Sequence, residues 1–209
     1  MTSGRGLFIG DDVLDKAIVL IDGGYFDNLN RYLQDKRGKK ISFEKLSKKV
    51  CETVGVGHYL TRFYHAYPYQ DEVPTEDQKQ RYRNTQRFFY SIDHIKDHQF
   101  VNVGRVRPVY FTCSKCNSNV MERKQKGVDV GTALDLVEMA KRHVADLFIF
   151  ITGDEDYTKA VELARKELAK VAIFYVHDQA NNIYFSEELN ETANSSYCMN
   201  LDFLDQCAM

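Results

Sequence analysis

Leu147-Phe148-Ile149-Phe150-Ile151-Thr152-Gly153-Asp154-Glu155-Asp156-Tyr157 is a short apolar run that ends abruptly in three acidic residues. A continuous run rich in Phe and Ile, closed by Gly, reads as a strand buried on both faces that delivers carboxylates at its carboxyl end. Open α/β sheets bind their ligands at that end. Ala17-Ile18-Val19-Leu20-Ile21-Asp22-Gly23-Gly24 repeats the pattern, so two parallel strands are expected to aim an acid each into one crevice.

Working outward, Val130, Ala133, Leu134, Val137 and Lys141 recur at helical spacing and predict an amphipathic helix with its core face on those residues, feeding the strand at 147. After Asp154 a helix is expected to about Leu168, then a last buried strand over Val171 to Val176. Toward the amino terminus, Tyr25 to Leu33 predicts a helix, and Ser42 caps another through Lys45, Leu46 and Val50. Tyr59 to Ala66 reads as a strand, and Thr75 with Gln78 forms a capping box that opens a long polar helix. Gln99 to Val109 is a further expected strand, followed by an irregular piece around Cys113 and Cys116. Strands alternating with helices imply a mainly parallel sheet with helices on both faces.

Composition narrows the function. The 209 residues suit one domain, and a formal charge of −2 excludes a uniformly basic nucleic-acid coat while leaving room for a local basic face. Five Cys at irregular spacing do not form a secreted disulfide framework, and no segment approaches the roughly 18 apolar residues of a membrane span. The expectation is a protein of the reducing cytoplasm with no membrane partner.

Asp22, Asp129, Asp154 and Asp156 stand where such a topology converges side chains. Each alone has an ordinary reading as a helix cap, a first-turn acid or a turn residue. Together they would repel and raise one another's pKa unless a cation neutralised them, and oxygen ligands select a hard divalent ion, Mg²⁺ or Mn²⁺. Such an ion generates hydroxide and steadies charge on a phosphodiester.

The segments Ile21-Asp22-Gly23-Gly24-Tyr25-Phe26, Lys126-Gly127-Val128-Asp129-Val130 with Ala133-Leu134-Asp135-Leu136, and Thr152-Gly153-Asp154-Glu155-Asp156-Tyr157 resemble the NYN family of PIN-like nucleases, in its LabA-like branch. The resemblance runs over residues ~17 to 177. It implies a PIN-like Rossmannoid fold, three-layer α/β/α, and metal-dependent cleavage of RNA, with Asp22, Asp129 and Asp154 as metal-binding acids and Asp156 completing the cluster. The domain then spans 16–209, with a Cys-containing loop insertion at 111–125 and a poorly ordered lead-in at 1–15. Many members carry Asn three residues after the first acid. Here that place holds Tyr25, and Asn28 lies one turn on. Asp135, six residues beyond Asp129, is turned about 120° from it on a helix and reads as structural.

Lys126, Arg105, Arg83 and Arg87 are the expected phosphate contacts, within a wider set including Arg81 and Arg123 that is interleaved with aromatics able to stack on unpaired bases. Cys113-x-x-Cys116 is half of a zinc site, and no second pair follows at knuckle spacing. Two competitors remain beside the ribonuclease. A haloacid-dehalogenase-type phosphohydrolase needs a second Asp two residues after the first, where Gly24 stands. A catalytically weak PIN-like scaffold would bind RNA or a protein, and a second copy or protein partner is left open for either.

Overall fold

The computed structural model describes residues 16–209, so the lead-in expected at 1–15 lies outside the described residues. In chain order the elements are β1 (Lys16–Asp22), α1 (Gly23–Arg37), α2 (Phe43–Val54), β2 (Gly57–His65), α3 (Glu76–Asp93), β3 (His98–Asn102), β4 (Arg105–Thr112), β5 (Asn119–Lys126) and α4 (Val128–Lys141). They continue with β6 (Leu147–Ile151), a 3₁₀ turn at Glu155–Tyr157, α5 (Thr158–Lys166), β7 (Lys170–Tyr175), α6 (Glu187–Thr192), β8 (Ser195–Cys198) and α7 (Leu201–Gln206).

Six strands form one parallel sheet in the order β3-β2-β1-β6-β7-β8. The chain builds outward from β1 to β3, then returns to the other side of β1 with β6. Strand order therefore reverses between β1 and β6, which opens a crevice at their carboxyl ends. Every residue of β6 is buried, as its unbroken apolar run requires.

Alternate side chains of the central strands enter two cores. Val19, Ile21, Phe63, Ile149, Ile151 and Phe174 face α1, α2, α3 and α7, while Ile18, Leu20, Tyr64, Phe148, Phe150 and Ile173 face α4, α5 and α6. The result is the expected three-layer α/β/α arrangement. Among the described residues, no helix is long and apolar enough to cross a membrane.

Three expectations about local structure are corrected. The strand predicted over Gln99 to Val109 is two strands, broken at Gly104, whose φ of 71° only glycine adopts freely. The stretch 111–125 is not an irregular loop: it is the distal part of a β4–β5 hairpin that pairs antiparallel from Arg105↔Lys126 to Thr112↔Asn119 and forms its own two-stranded sheet. Finally, α4 buries Val128, Thr132, Leu136, Met139 and Ala140, while Val130 and Leu134 are 63% and 65% exposed. This helix is apolar almost all round, so periodicity alone does not fix its phase. The phase follows from the entry of β5 through Gly127, which adopts φ 84°.

Candidate active site

Asp22 is the last residue of β1 and the N-cap of α1, and its two carboxylate oxygens have separate partners. Oδ1 accepts hydrogen bonds from the backbone N–H groups of Gly24 (2.9 Å) and Tyr25 (3.2 Å). Oδ2 accepts from the Tyr157 hydroxyl (3.2 Å) and the Thr152 hydroxyl (3.4 Å). The side chain is held this deep because α1 starts hard against β2: a Cβ on Gly23 would stand 2.4 Å from both the Tyr64 carbonyl oxygen and His65 Cδ2. Asp22 is only 6% exposed.

Asp129 enters from the first turn of α4, and Asp154 from the segment after β6, where its Oδ1 accepts from Asp156 N–H (3.1 Å) and caps the 3₁₀ turn. The Thr152 hydroxyl joins the two strand ends, donating to Asp22 and accepting from Asp154 N–H (3.2 Å). Tyr157, fully buried and edge-on to Phe150, places its hydroxyl 3.5 Å from Asp129 Oδ1 as well as against Asp22. Burial pushes the Asp22 carboxyl above its ordinary range, with the charge of Asp129 adding to the effect. Asp129 is raised too, by burial first and then by Asp154 and Asp156. The same burial and the two neighbouring acids push the Tyr157 hydroxyl up, so it remains a donor.

The acids thus lie in one mutually repelling field that Tyr157 only partly satisfies. Tyr157→Phe is expected to destabilise the metal-free protein by about 1.5–3 kcal/mol, the cost of removing a hydrogen bond to a buried charged group. Urea denaturation in the presence of chelator measures it, and an unchanged midpoint would remove the hydroxyl from this account.

Asp22, Asp129 and Asp154 line one cleft of about 280 Å³ together with Gly24, Tyr25, Asn28 and Gln125. The donors are all oxygens or amides, the set a hard divalent ion selects. Among the described residues, no three His, Cys, Asp or Glu side chains close into a coordination sphere. Carboxylates and amides of this kind would suit a hard divalent ion that keeps several of its waters and takes one or two carboxylates. Asp156 does not line the cleft; its charge reaches Asp129. Tyr25 contributes its ring, while its hydroxyl accepts from Val176 N–H (2.8 Å) and lies 3.3 Å from the Val176 carbonyl oxygen. Asn28, one turn on, also lines the cleft.

A second cleft, of about 350 Å³, lies past the end of β2 and is lined by Asp27, His65, Pro68, Tyr69, Arg81, Phe88, Val106 and Arg123, among others. Arg123 stacks over the Tyr69 ring at 5.5 Å. Burial disfavours a charged His65, but Asp27, 3.1 Å from its Nε2, outweighs this and holds the ring above its ordinary pKa.

Of the expected phosphate contacts, Arg83 and Arg87 are exposed on α3 and turned well away from the face that carries Arg81, Thr85 and Phe88 to this cleft. Lys126 and Arg105 are exposed cross-strand partners at the hairpin root, and the side chain that β5 sends into the acidic cleft is Gln125. Asp135 is turned to the interior, where it pairs with Arg62 and accepts from the Tyr64 hydroxyl.

Tyr157 and Gln125 are site residues that the sequence pattern does not single out. Tyr157 carried a signal, since a Tyr three residues after Asp154, opening a helix that packs on the sheet, brings its hydroxyl to the strand ends. Gln125 became legible only once β5 was known to be a strand, because alternation then opposes it to Lys126. In comparison with known proteins, a family model described as the NYN domain matches residues 16–198. No curated protein matches the chain.

Proposed function

The chain belongs to the NYN domain family, and from that premise we propose that it is a metal-dependent ribonuclease of the LabA-like branch, acting in the cytoplasm. Family membership gives a PIN-like nuclease fold. The observation that carries the finer reading is that Asp22, Asp129 and Asp154, from three separate elements, line one cleft at the point where strand order reverses.

A bound Mg²⁺ or Mn²⁺ would supply Lewis acidity and a water of lowered pKa. Asp22, fixed through Oδ1 by the start of α1 and through Oδ2 by the Thr152 and Tyr157 hydroxyls, would be one of the residues holding that ion. Asp129 and Asp154 complete the acidic wall, and Asn28 and Gln125 present amides that orient water or a phosphate oxygen. Asp156 adds negative charge from outside the cleft. Arg81 and Arg123 receive phosphates of the RNA, and Tyr69 and Phe88 give an unpaired base a surface to stack on. Lys126 and Arg105 steer the same backbone from the hairpin root.

A second reading, an RNA- or protein-binding scaffold with little hydrolysis, draws on Tyr157, whose hydroxyl donates to Asp22 and stands 3.5 Å from Asp129, so that the acids have a protein partner without an ion. One experiment separates the two: purified protein incubated with single-stranded and structured RNAs in Mg²⁺, Mn²⁺ or chelator, beside Asp154→Asn. Cleavage with metal, absent with chelator and in the variant, is expected. Binding without cleavage in either metal would select the scaffold, and full activity in Asp154→Asn would remove that residue from the site.

A further inference from the structure

The tip of the β4–β5 hairpin carries chemistry that the acidic site does not use. Strand pairing ends at Thr112↔Asn119, and the turn between holds Cys113, Ser114, Lys115, Cys116, Asn117 and Ser118. Cys113 N–H donates to the Ser118 carbonyl (2.9 Å), and Asn117 N–H donates to the Cys113 carbonyl (2.8 Å). Asn117 is left-handed, with φ 53°. That residue reverses the chain directly after the second Cys, which brings both sulfurs to one side of the turn, where they interact; the Ser118 hydroxyl stands 2.9 Å from Cys116 Sγ. Two soft ligands are thereby arranged as one arm of a chelate, with Cys116 exposed and Cys113 half-buried.

A thiolate pair selects Zn²⁺ among common divalent ions, and a structural Zn²⁺ takes four ligands in a tetrahedron. The described residues do not supply the other two at this place. Among the described residues, no third His, Cys, Asp or Glu joins the pair. Cys51 and Cys207 are buried in the core, and Cys198 is on β8, at the opposite edge of the sheet from β3, which leads into the hairpin. Residues 1–15 contain neither Cys nor His.

We propose that Cys113 and Cys116 form half of a Cys₄ zinc site completed by the same pair of a second copy of this chain, joining two protomers tip to tip. A two-fold axis through the ion makes one pair sufficient, because each copy presents what the other lacks. The stem beside the tip suits such a partner. Tyr110 and Met121 are directly opposite one another, as are Phe111 and Val120, so each face of the stem exposes an apolar pair; Tyr110 is 73% exposed. Four thiolates around one Zn²⁺ leave two negative charges, and Lys115 of each copy, in the same turn, offsets them.

The test uses the full chain purified under reducing conditions, with zinc measured by elemental analysis and mass by light scattering. One Zn²⁺ per two chains and a dimer mass are expected, with the mass halving when a strong chelator removes the metal and recovering on addition of Zn²⁺. Cys113→Ser and Cys116→Ser are each expected to be metal-free monomers with unchanged circular dichroism. Should either variant fold poorly, chelation and Co²⁺ substitution of the wild-type chain decide, since a tetrathiolate Co²⁺ site has its own visible absorption. One Zn²⁺ per monomer, no bound Zn²⁺, or a dimer that survives both substitutions would overturn the proposal. None of these readouts uses RNA cleavage, so the outcome is independent of the nuclease reading.

Discussion

Asp22→Asn is expected to lower metal-dependent cleavage by about 10³-fold or more, the rate equivalent of roughly 4 kcal/mol of lost charge stabilisation at a metal-assisted site. The fold should survive, because an amide oxygen still accepts from Gly24 and Tyr25, and the amide NH₂ meets two hydroxyls, Thr152 and Tyr157, that accept as readily as they donate. Stability should move the opposite way from activity. The folded-state pKa of Asp22 is raised, so between the ordinary carboxylate range and that higher value the folded protein binds more protons than the unfolded chain. Wild-type stability therefore receives an unfavourable contribution that grows as pH rises through that window and stays in place above it. The melting temperature of Asp22→Asn minus that of wild type, both in chelator, should increase with pH and shrink when Mg²⁺ or Mn²⁺ is added to the wild type. A variant less stable than wild type at neutral pH would show that the carboxylate is not electrostatically strained.

Phe63→Ala should cost about 3–5 kcal/mol, a large part of the 5–15 kcal/mol that separates a typical domain from its unfolded state. Phe63 is fully buried on β2 and touches Phe26 of α1, Phe43 of α2, Phe88 and Phe89 of α3 and Phe100 of β3, with ring centroids between 5.0 and 6.4 Å. Truncation removes one ring and strips a partner from these five and from the His65 ring, and the flanking helices cannot all close on the same void. Denaturant unfolding should show a lower midpoint with an unchanged slope. A loss below 1 kcal/mol would mean that this face of the sheet repacks freely. Because α1 is one of the elements released, cleavage should fall alongside stability, which distinguishes this variant from Asp22→Asn.

The sheet and its acids were legible for a physical reason. The runs 17–21 and 147–151 are buried on both faces, which a parallel sheet demands, and each ends in Asp close to Gly. The match of Thr75 with Gln78 to a capping box was also readable, and both of its hydrogen bonds are formed. The hairpin was less legible because its strands have polar residues on both faces, as in Glu122-Arg123-Lys124-Gln125, and carry no alternation. The buried face of α4 is not legible because apolar residues occupy nearly its whole circumference. Arg83 and Arg87 stand at i,i+4 on one helix among aromatic residues, but the orientation of α3 is set by the burial of Gln78, Phe89 and Ile92, which turns both arginines away from the cleft.

At the root of the hairpin, Gly104 and Gly127 meet backbone to backbone: a Cβ on Gly127 would be 3.6 Å from Gly104 Cα, and one on Gly104 would collide with the Lys126 carbonyl at 2.4 Å. The chain thus leaves the main sheet and returns to it at nearly the same point. Since β4 and β5 share no hydrogen-bonded strand with the other six, while Val106, Arg123 and Gln125 tie the root of the arm to the two clefts, it is the distal part of the arm whose length and tip can be exchanged without re-threading the core that holds Asp22, Asp129 and Asp154.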